Sequence, residues 1–141
     1  MAISNIRKIL IIEDTPADAR QSIAVVKKLG AQEVIALNNV AAAMLLLQDI
    51  VEGKQDAPDV ILLDLSFPKE SGFEVLRYWK SNPKLKTIRV VVWTVMGDTE
   101  QKLCGFFGVD SVVPKWAGPK ELELALGRFN ENANIAGSSQ G

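Results

Sequence analysis

The sequence of 141 residues contains no histidine and only one cysteine, Cys104. Without histidine there is no histidine-based general acid–base catalysis, no Ser-His-Asp triad, no Cys-His pair and no phosphohistidine on this chain. A single cysteine cannot form a disulfide within the chain. These absences exclude the catalytic classes that depend on histidine, and we interpret Cys104 as a packing residue.

Neither sign of charge is in excess, because 16 Lys and Arg residues stand against 17 Asp and Glu residues. No basic run is interleaved with aromatic residues, which argues against a nucleic-acid-binding surface. The apolar runs are far shorter than the roughly 20 residues of a membrane-spanning helix. The N-terminus lacks the pattern of a signal peptide. These absences predict a cytoplasmic protein that binds neither nucleic acid nor membrane.

Short apolar runs alternate with amphipathic stretches along most of the chain. Hydrophobic residues make up 48% of it, which is enough for the core of one domain. Five strands alternating with five helices predict an α/β fold, in which helices cover both faces of a parallel sheet. The predicted strands are residues 8–12, 33–37, 59–63, 88–93 and 111–113. The predicted helices are residues 17–29, 40–51, 71–81, 98–107 and 119–129.

Residues that suit helix ends support these boundaries. Ser71 and Glu74 fit a capping box at the start of the third helix. The small, polar residues that follow the last helix predict a flexible C-terminal tail. We therefore assign residues 1–130 to the folded domain and residues 131–141 to the tail. The other predicted N-caps are Thr15, Asn38 or Asn39, and Asp98.

Polar residues that can carry chemistry follow four of the five predicted strands. Glu13 and Asp14 follow the first strand, and Asp64 follows the third. Thr94 follows the fourth strand, and Lys115 comes after the fifth. Sites in open parallel sheets lie beyond the carboxyl ends of the strands. If these strands are neighbours, the five side chains converge in one pocket.

Three carboxylates in one pocket repel one another unless a cation holds them ionised. A hard divalent ion with oxygen ligands, such as Mg2+, fits this requirement, and Lys115 would add a second positive charge. A metal ion, a carboxylate nucleophile, an ammonium group and a hydroxyl group together suit phosphoryl transfer to a carboxylate.

These residues resemble the motifs of the response-regulator receiver family, whose members are CheY-like. The resemblance rests on Glu13-Asp14, the segment VILLDLSFPKESGFEVL over residues 60–76, Thr94 after an apolar strand, and Lys115. It implies the flavodoxin-like receiver fold, with a five-stranded parallel sheet in the order 2-1-3-4-5. Residues 1–130 would then be a receiver domain.

The resemblance also implies a role for each matched residue. Asp64 would accept a phosphoryl group from the phosphohistidine of a sensor histidine kinase or histidine phosphotransfer protein. Lys115 would pair with the acyl phosphate, and Thr94 would donate its hydroxyl to a phosphoryl oxygen. The metal ligands would be Asp14 and Asp64 through their carboxylates, Glu13 through water, and Ser66 through its backbone carbonyl. Pro68 and Gly72 match the loop that follows the phosphorylated residue.

We therefore expect a stand-alone response regulator of a two-component phosphorelay. It would be a switch that catalyses phosphoryl transfer only to its own Asp64, and not an enzyme acting on other substrates. Phosphorylation would control binding to a downstream protein that the sequence does not identify. A homodimer is left open, because the adjacent apolar residues 44–47 cannot all face inward on one helix.

Three residues depart from the family pattern. Trp116 follows the lysine where the family usually has proline, so we expect no cis peptide bond there, since a non-proline cis bond costs about 2.5–4 kcal/mol. Val112 occupies a position that is usually aromatic, and Val95 one that is usually small, which would narrow access to Asp64. These departures motivate an alternative, a binding module that kept the fold and lost the chemistry, although the intact acidic pair, Asp64, Thr94 and Lys115 argue against it.

Two enzyme classes fit the sequence less well. A phosphatase of the haloacid dehalogenase type needs a second aspartate two residues after the nucleophile, where this chain has Ser66. A flavin carrier needs a phosphate loop rich in glycine and hydroxyl groups after the first strand, and residues 15–18 do not provide one.

Overall fold

The computed structural model describes residues 6–95 and 97–140, with side chains described as far as Phe129. The strands are β1 Lys8–Ile12, β2 Glu33–Leu37, β3 Val60–Leu63, β4 Arg89–Thr94 and β5 Ser111–Pro114. The helices are α1 Pro16–Lys28, α2 Val40–Val51, α3 Phe73–Ser81, α4 Asp98–Phe107 and α5 Pro119–Gln140. Two 3-10 turns, Pro83–Leu85 and Lys115–Ala117, complete the described elements.

The five strands form one parallel sheet in the order β2-β1-β3-β4-β5. The predicted fold and strand order are confirmed. The central strands β1 and β3 are almost entirely buried, as expected for strands with helices on both faces. Because all the strands are parallel, their carboxyl ends meet at one edge, which is where the site lies.

Successive side chains of each strand point to opposite faces of the sheet and so form two cores. Along β4, Val90 and Val92 pack with α2 and α3, whereas Val91 and Trp93 pack with α1 and α5. Trp79 and Cys104 are buried in the first of these cores, and the interpretation of Cys104 as a packing residue is confirmed.

The apolar run at residues 44–47 divides between the core and the surface. Leu47 is fully buried, whereas Leu45 is 64% exposed. The prediction that these side chains cannot all face inward is confirmed.

Most element boundaries agree with the sequence to within two residues, but several predicted caps do not form. Asn39 caps α2, because its side chain accepts a hydrogen bond from Ala42 N–H at 2.7 Å. Thr15 occupies the N-cap position of α1 without a side-chain capping bond. The N-cap of α4 is Gly97, not Asp98. The Glu100 carboxylate accepts the hydrogen bond of Gly97 N–H there.

The predicted capping box of Ser71 and Glu74 is wrong. The third helix begins only at Phe73, and Ser71 Oγ accepts a hydrogen bond from Phe73 N–H at 3.2 Å. Ser71 instead forms a β-bridge with Ser66, so the loop, not the helix, determines its conformation.

The last helix continues to Gln140 and does not end at Phe129 as predicted. The segment after Phe129 contains no proline, so composition alone did not define the end of the helix. The flexible tail over residues 131–141 stays a prediction, because its side chains lie outside the described residues.

Among the described residues, no helix is both long enough and apolar enough to cross a bilayer. No peptide bond in this part of the chain is cis, including the bond after Lys115, which agrees with the expectation from Trp116.

Candidate functional site

The pairing of β1 with β3 brings three acidic side chains together. Ile12 pairs with Leu63, so Glu13 and Asp64 follow paired residues at the carboxyl edge of the sheet. One carboxylate oxygen from each of Glu13, Asp14 and Asp64 lies within 4.8 Å of the others.

Asp64 is only 3% exposed, and both of its carboxylate oxygens are held by contacts within the protein. Oδ1 accepts hydrogen bonds from Ser66 N–H at 3.0 Å and from the Thr94 hydroxyl. Oδ2 lies 3.0 Å from Lys115 Nζ. A buried carboxylate is stabilised by such donors and by a neighbouring cation, so Asp64 has a defined orientation.

Thr94 lies at the end of β4 and is fully buried. Its hydroxyl donates to Asp64 Oδ1, and its oxygen accepts a hydrogen bond from Leu65 N–H at 3.3 Å. One hydroxyl therefore links the side chain of Asp64 to the backbone of the loop that follows it.

Lys115 begins the 3-10 turn after β5 and extends its ammonium group towards three carboxylates. Nζ donates to Asp18 Oδ2 at 2.7 Å and to Asp64 Oδ2 at 3.0 Å. Glu13 Oε1 lies 2.8 Å from Nζ, as an ion pair and not as an aligned hydrogen bond. The Lys115 side chain is 12% exposed, so these charges interact with little screening by water.

Asp18 belongs to the site but was not predicted from the sequence. This residue lies in the first turn of α1, which begins at the same edge of the sheet as the site. Its position four residues after Asp14 could have indicated that it faces the strand ends. The site therefore contains four carboxyl groups and one ammonium group: Glu13, Asp14, Asp18, Asp64 and Lys115.

The charges of the site shift two pKa values. Burial raises the pKa of Glu13 to about 7, and repulsion from Asp64 adds to this shift, while the contact with Lys115 opposes it. Burial by itself would lower the pKa of Lys115. The hydrogen bonds that Lys115 donates to Asp18 and Asp64, together with its ion pair with Glu13, outweigh burial and raise that pKa above its usual value, so Lys115 is charged at neutral pH.

A cavity of about 350 Å³ gives access to the site. Val95 lies on its wall with an exposed side chain, as expected for a residue at the entrance. The converging carboxylate oxygens are the ligands that hard divalent cations prefer. Glu13 and Asp64 are buried next to Asp14, and a cation would offset the negative charge gathered there, so the donor set fits a divalent metal ion. The cavity is lined by Asp14, Thr15, Asp18, Asp64, Ser66, Phe67, Pro68, Val95 and Lys115.

The loop between β3 and α3 passes very close to the backbone of Asp64. A Cβ atom at Gly72 would lie 2.5 Å from the backbone oxygen of Asp64 and 2.7 Å from Cα of Leu65. Such distances are far shorter than normal contacts, so only glycine fits. Gly72 N–H also donates to Leu65 O at 3.3 Å, which closes the loop.

The same loop is attached to the start of α2. The two carboxylate oxygens of Glu70 accept hydrogen bonds from Val40 N–H and Ala41 N–H, each at 3.0 Å. These are free donors of the first helical turn, where a negative charge is favourable. The loop that carries Ser66 and Pro68 is thereby held against a second helix.

Comparison with known proteins identifies the family. The chain matches the response regulator receiver domain over residues 9–126 and belongs to that family. It is 40% identical over 100 residues to the response regulator Rcp1 of Synechocystis sp., covering 70% of this chain and 68% of Rcp1. It is 30% identical over 120 residues to the phosphate regulon regulatory protein PhoB of Pseudomonas aeruginosa, covering 84% of this chain but only 50% of PhoB.

Solved structures agree with this assignment. The Mn2+-bound form of Rcp1 superposes with a TM-score of 0.71 at 35% identity, covering 85% of this chain and 88% of that chain. The phosphorylated cyanobacterial phytochrome response regulator RcpA gives a TM-score of 0.72 at 31% identity, covering 89% and 92%. The predicted family is confirmed. The chain is a signalling domain of two-component systems, in which histidine kinases phosphorylate receiver domains that pass the signal to partner proteins.

Proposed function

We propose that this chain is a response regulator that accepts a phosphoryl group on Asp64 from the phosphohistidine of a sensor histidine kinase or histidine phosphotransfer protein. The observation that carries this proposal is the Asp64 carboxylate, which is held between Thr94 and Lys115 and lines a cavity open to solvent. In the transfer, an Asp64 oxygen forms a bond to phosphorus. The bond from phosphorus to the histidine nitrogen breaks, and the bonding pair leaves with the imidazole.

Lys115 and Thr94 would stabilise the transferred group. The Lys115 ammonium already contacts Asp64 Oδ2, so it can neutralise charge on a phosphoryl group attached there. The Thr94 hydroxyl now donates to Asp64 Oδ1, and after transfer it could donate to a phosphoryl oxygen. That change would alter its bond to Leu65 N–H and so report phosphorylation to the backbone.

Glu13, Asp14 and Asp64 would hold Mg2+, with Ser66 contributing its backbone carbonyl. The convergence of the three carboxylates supports this assignment, as does the Mn2+ in the related Rcp1 structure. When bound, the metal ion would neutralise charge on the phosphoryl oxygens. The residues of the chain would orient Asp64 and exclude water from its buried oxygens.

A phosphorylation-independent binding module is the second candidate. Trp116 is 79% exposed beside the site, where the family usually has proline, and such a residue suits a protein contact. This candidate predicts the same partner binding with and without phosphorylation.

The test is phosphorylation of the purified chain by acetyl phosphate with Mg2+, followed by intact-mass measurement. Asp64→Asn removes the nucleophile and should take no phosphoryl group. Asp56→Asn is the matched control, because Asp56 is an exposed aspartate near the opposite edge of the sheet, and it should be labelled like the wild type. A folded wild-type chain that takes no label from acetyl phosphate or from a phosphohistidine donor would disprove the proposal.

A pull-down with the phosphorylated chain, the unphosphorylated chain and Asp64→Asn then separates the two candidates. Phosphorylation-dependent signalling predicts a partner captured only by the phosphorylated chain. Equal capture by all three forms would favour the binding module.

A further inference from the structure

Trp93 lies directly beneath the ammonium group of Lys115. The Lys115 Nζ atom is 5.1 Å from the centroid of the indole ring, within the range of a cation–π contact. Trp93 precedes Thr94 on β4, but its side chain points to the opposite face of the sheet, towards α1 and α5. The residue is 2% exposed, so the contact is shielded from water.

The buried indole N–H of Trp93 has no hydrogen-bond partner among the described residues. In contrast, the other buried tryptophan, Trp79, donates its indole N–H to Ile88 O at 3.0 Å. Burying a polar group without a partner is unfavourable, and phenylalanine would avoid this penalty. What tryptophan adds at position 93 is a larger electron-rich face, which binds a cation better than the ring of phenylalanine.

A flexible stem of four carbons separates the ammonium group of Lys115 from its backbone. Val113 of β5 pairs with Trp93, and the chain then leaves the sheet in a short 3-10 turn. The long, flexible lysine side chain therefore depends on its side-chain contacts for its position. Its three carboxylate partners belong to the site, and two of them, Glu13 and Asp64, are the groups proposed to bind metal and phosphate.

Those two carboxylates would change their interactions on metal binding and on phosphorylation of Asp64. The Trp93 ring offers no ligand atom to a metal ion or a phosphoryl group, so its contact with Lys115 does not compete with either event. We propose that Trp93 is a positioning residue that holds the Lys115 ammonium group in place for phosphoryl transfer to Asp64. This inference rests on the function proposed above and adds a residue that neither binds metal nor touches the transferred group.

The first test compares rates of Asp64 phosphorylation by acetyl phosphate at saturating Mg2+. Trp93→Leu keeps much of the buried volume but removes the aromatic face, and it should slow labelling by about three- to tenfold. Trp93→Phe restores an aromatic face and should recover most of the rate. The midpoint of the Mg2+ dependence should stay unchanged in both variants, because neither alters a proposed metal ligand.

Trp79→Leu is the matched control for lost stability. It removes a similarly buried tryptophan from the other core, together with its hydrogen bond to Ile88. It should lower the free energy of unfolding at least as much as Trp93→Leu and leave the labelling rate unchanged. Equal slowing by Trp79→Leu, or wild-type labelling by Trp93→Leu, would overturn the proposal.

A second measurement does not depend on phosphorylation. A double-mutant cycle of Trp93→Leu and Lys115→Met compares free energies of unfolding by urea denaturation. Direct contact predicts that the effects of the two single variants do not add, whereas additive effects would contradict it.

If the wild type takes no label, the proposed function fails with the positioning role. If the wild type is labelled and Trp93→Leu behaves like it, only the positioning role fails.

Discussion

At the scale of single residues, the Thr94 hydroxyl links two buried groups of the site. It donates to Asp64 and accepts from Leu65 N–H in a fully buried position. Thr94→Val keeps the shape of the side chain but leaves both buried partners without this hydroxyl, which should destabilise the fold by about 1–3 kcal/mol. Urea denaturation measures this change.

Two comparisons make the Thr94 prediction specific. Thr94→Ser keeps the hydroxyl and should retain most of the stability lost in Thr94→Val. Thr99→Val alters an exposed threonine of α4 and should change stability by less than about 0.5 kcal/mol. If Thr94→Val had the same free energy of unfolding as the wild type, the two hydrogen bonds would make no net contribution to the stability of the fold.

The thiol of Cys104 should react slowly with thiol reagents in the folded protein. The residue is fully buried, and burial raises the pKa of its thiol, with a further rise from the charge of Glu100. A raised pKa leaves less of the reactive thiolate at a given pH. We expect slow labelling by a thiol reagent at pH 8 and rapid labelling in urea, followed by absorbance. Because the chain has one cysteine, the signal reports this residue alone, and rapid labelling without urea would contradict the prediction.

Residues at strand ends were predictable from the sequence, whereas contacts made across elements were not. Glu13, Asp64 and Thr94 directly follow apolar strands, so the strand-end rule brings them together once the sheet order is known. Asp18 lies on a helix, and its contact with Lys115 depends on how α1 packs against the strand ends. The position of Trp93 under Lys115 similarly depends on side-chain packing that no local pattern specifies.

At the scale of the elements, the loop between β3 and α3 depends on the missing side chain of Gly72. In Gly72→Ala, the new Cβ would overlap the backbone of Asp64 and Leu65, and neither can move without displacing the site. We expect a loss of about 1–3 kcal/mol in the free energy of unfolding and slower phosphorylation of Asp64. Urea denaturation and intact-mass labelling measure the two effects.

Gly105→Ala provides the control for this substitution. Gly105 lies inside α4, and a Cβ there meets nothing within 4 Å. Alanine favours helix over glycine, so this variant should gain about 0.5–1 kcal/mol. If Gly72→Ala were as stable as Gly105→Ala, the close approach at Gly72 would not be a constraint.

The same loop shows where sequence patterns mislead at this scale. Ser71 and Glu74 have the spacing of a capping box, but the pairing of Ser71 with Ser66 delays the helix until Phe73. Glu70 was not predicted to cap anything, yet it binds the first turn of α2, about thirty residues earlier in the chain. Spacing along the chain cannot reveal caps that come from another element.

At the scale of the whole molecule, metal binding should stabilise the folded chain. The carboxylates of the proposed metal site come from two different strand ends, so the unfolded chain lacks the site. Mg2+ at ten times its dissociation constant should add about 1.4 kcal/mol to the free energy of unfolding, and EDTA should reverse the effect. Differential scanning calorimetry measures it as a rise in Tm.

Asp14→Asn should abolish most of the rise in Tm, because it removes one proposed ligand. Asp56→Asn carries the same loss of charge far from the site and should keep the rise. Equal stabilisation of both variants by Mg2+ would assign the ion to another place on the molecule.

The strand order could be predicted only through the resemblance to receiver domains. The alternation of strands and helices indicates a parallel sheet with covered faces, but it allows several orders. The apolar side chains of β1 and β3 indicate burial on both faces, which places these strands centrally without specifying their neighbours.

Lys115 follows β5 in the chain. This strand lies at one edge of the sheet and is the last of the five to be synthesised. While the chain is still emerging from the ribosome, the acids of the earlier strands exist without their ammonium partner. A nascent chain that stops before this strand would carry the proposed acceptor Asp64 without the ammonium group that contacts it in the folded domain. If Asp64 accepts the signal as proposed, competence to receive it would therefore arise only once the outer strand has been synthesised and has docked.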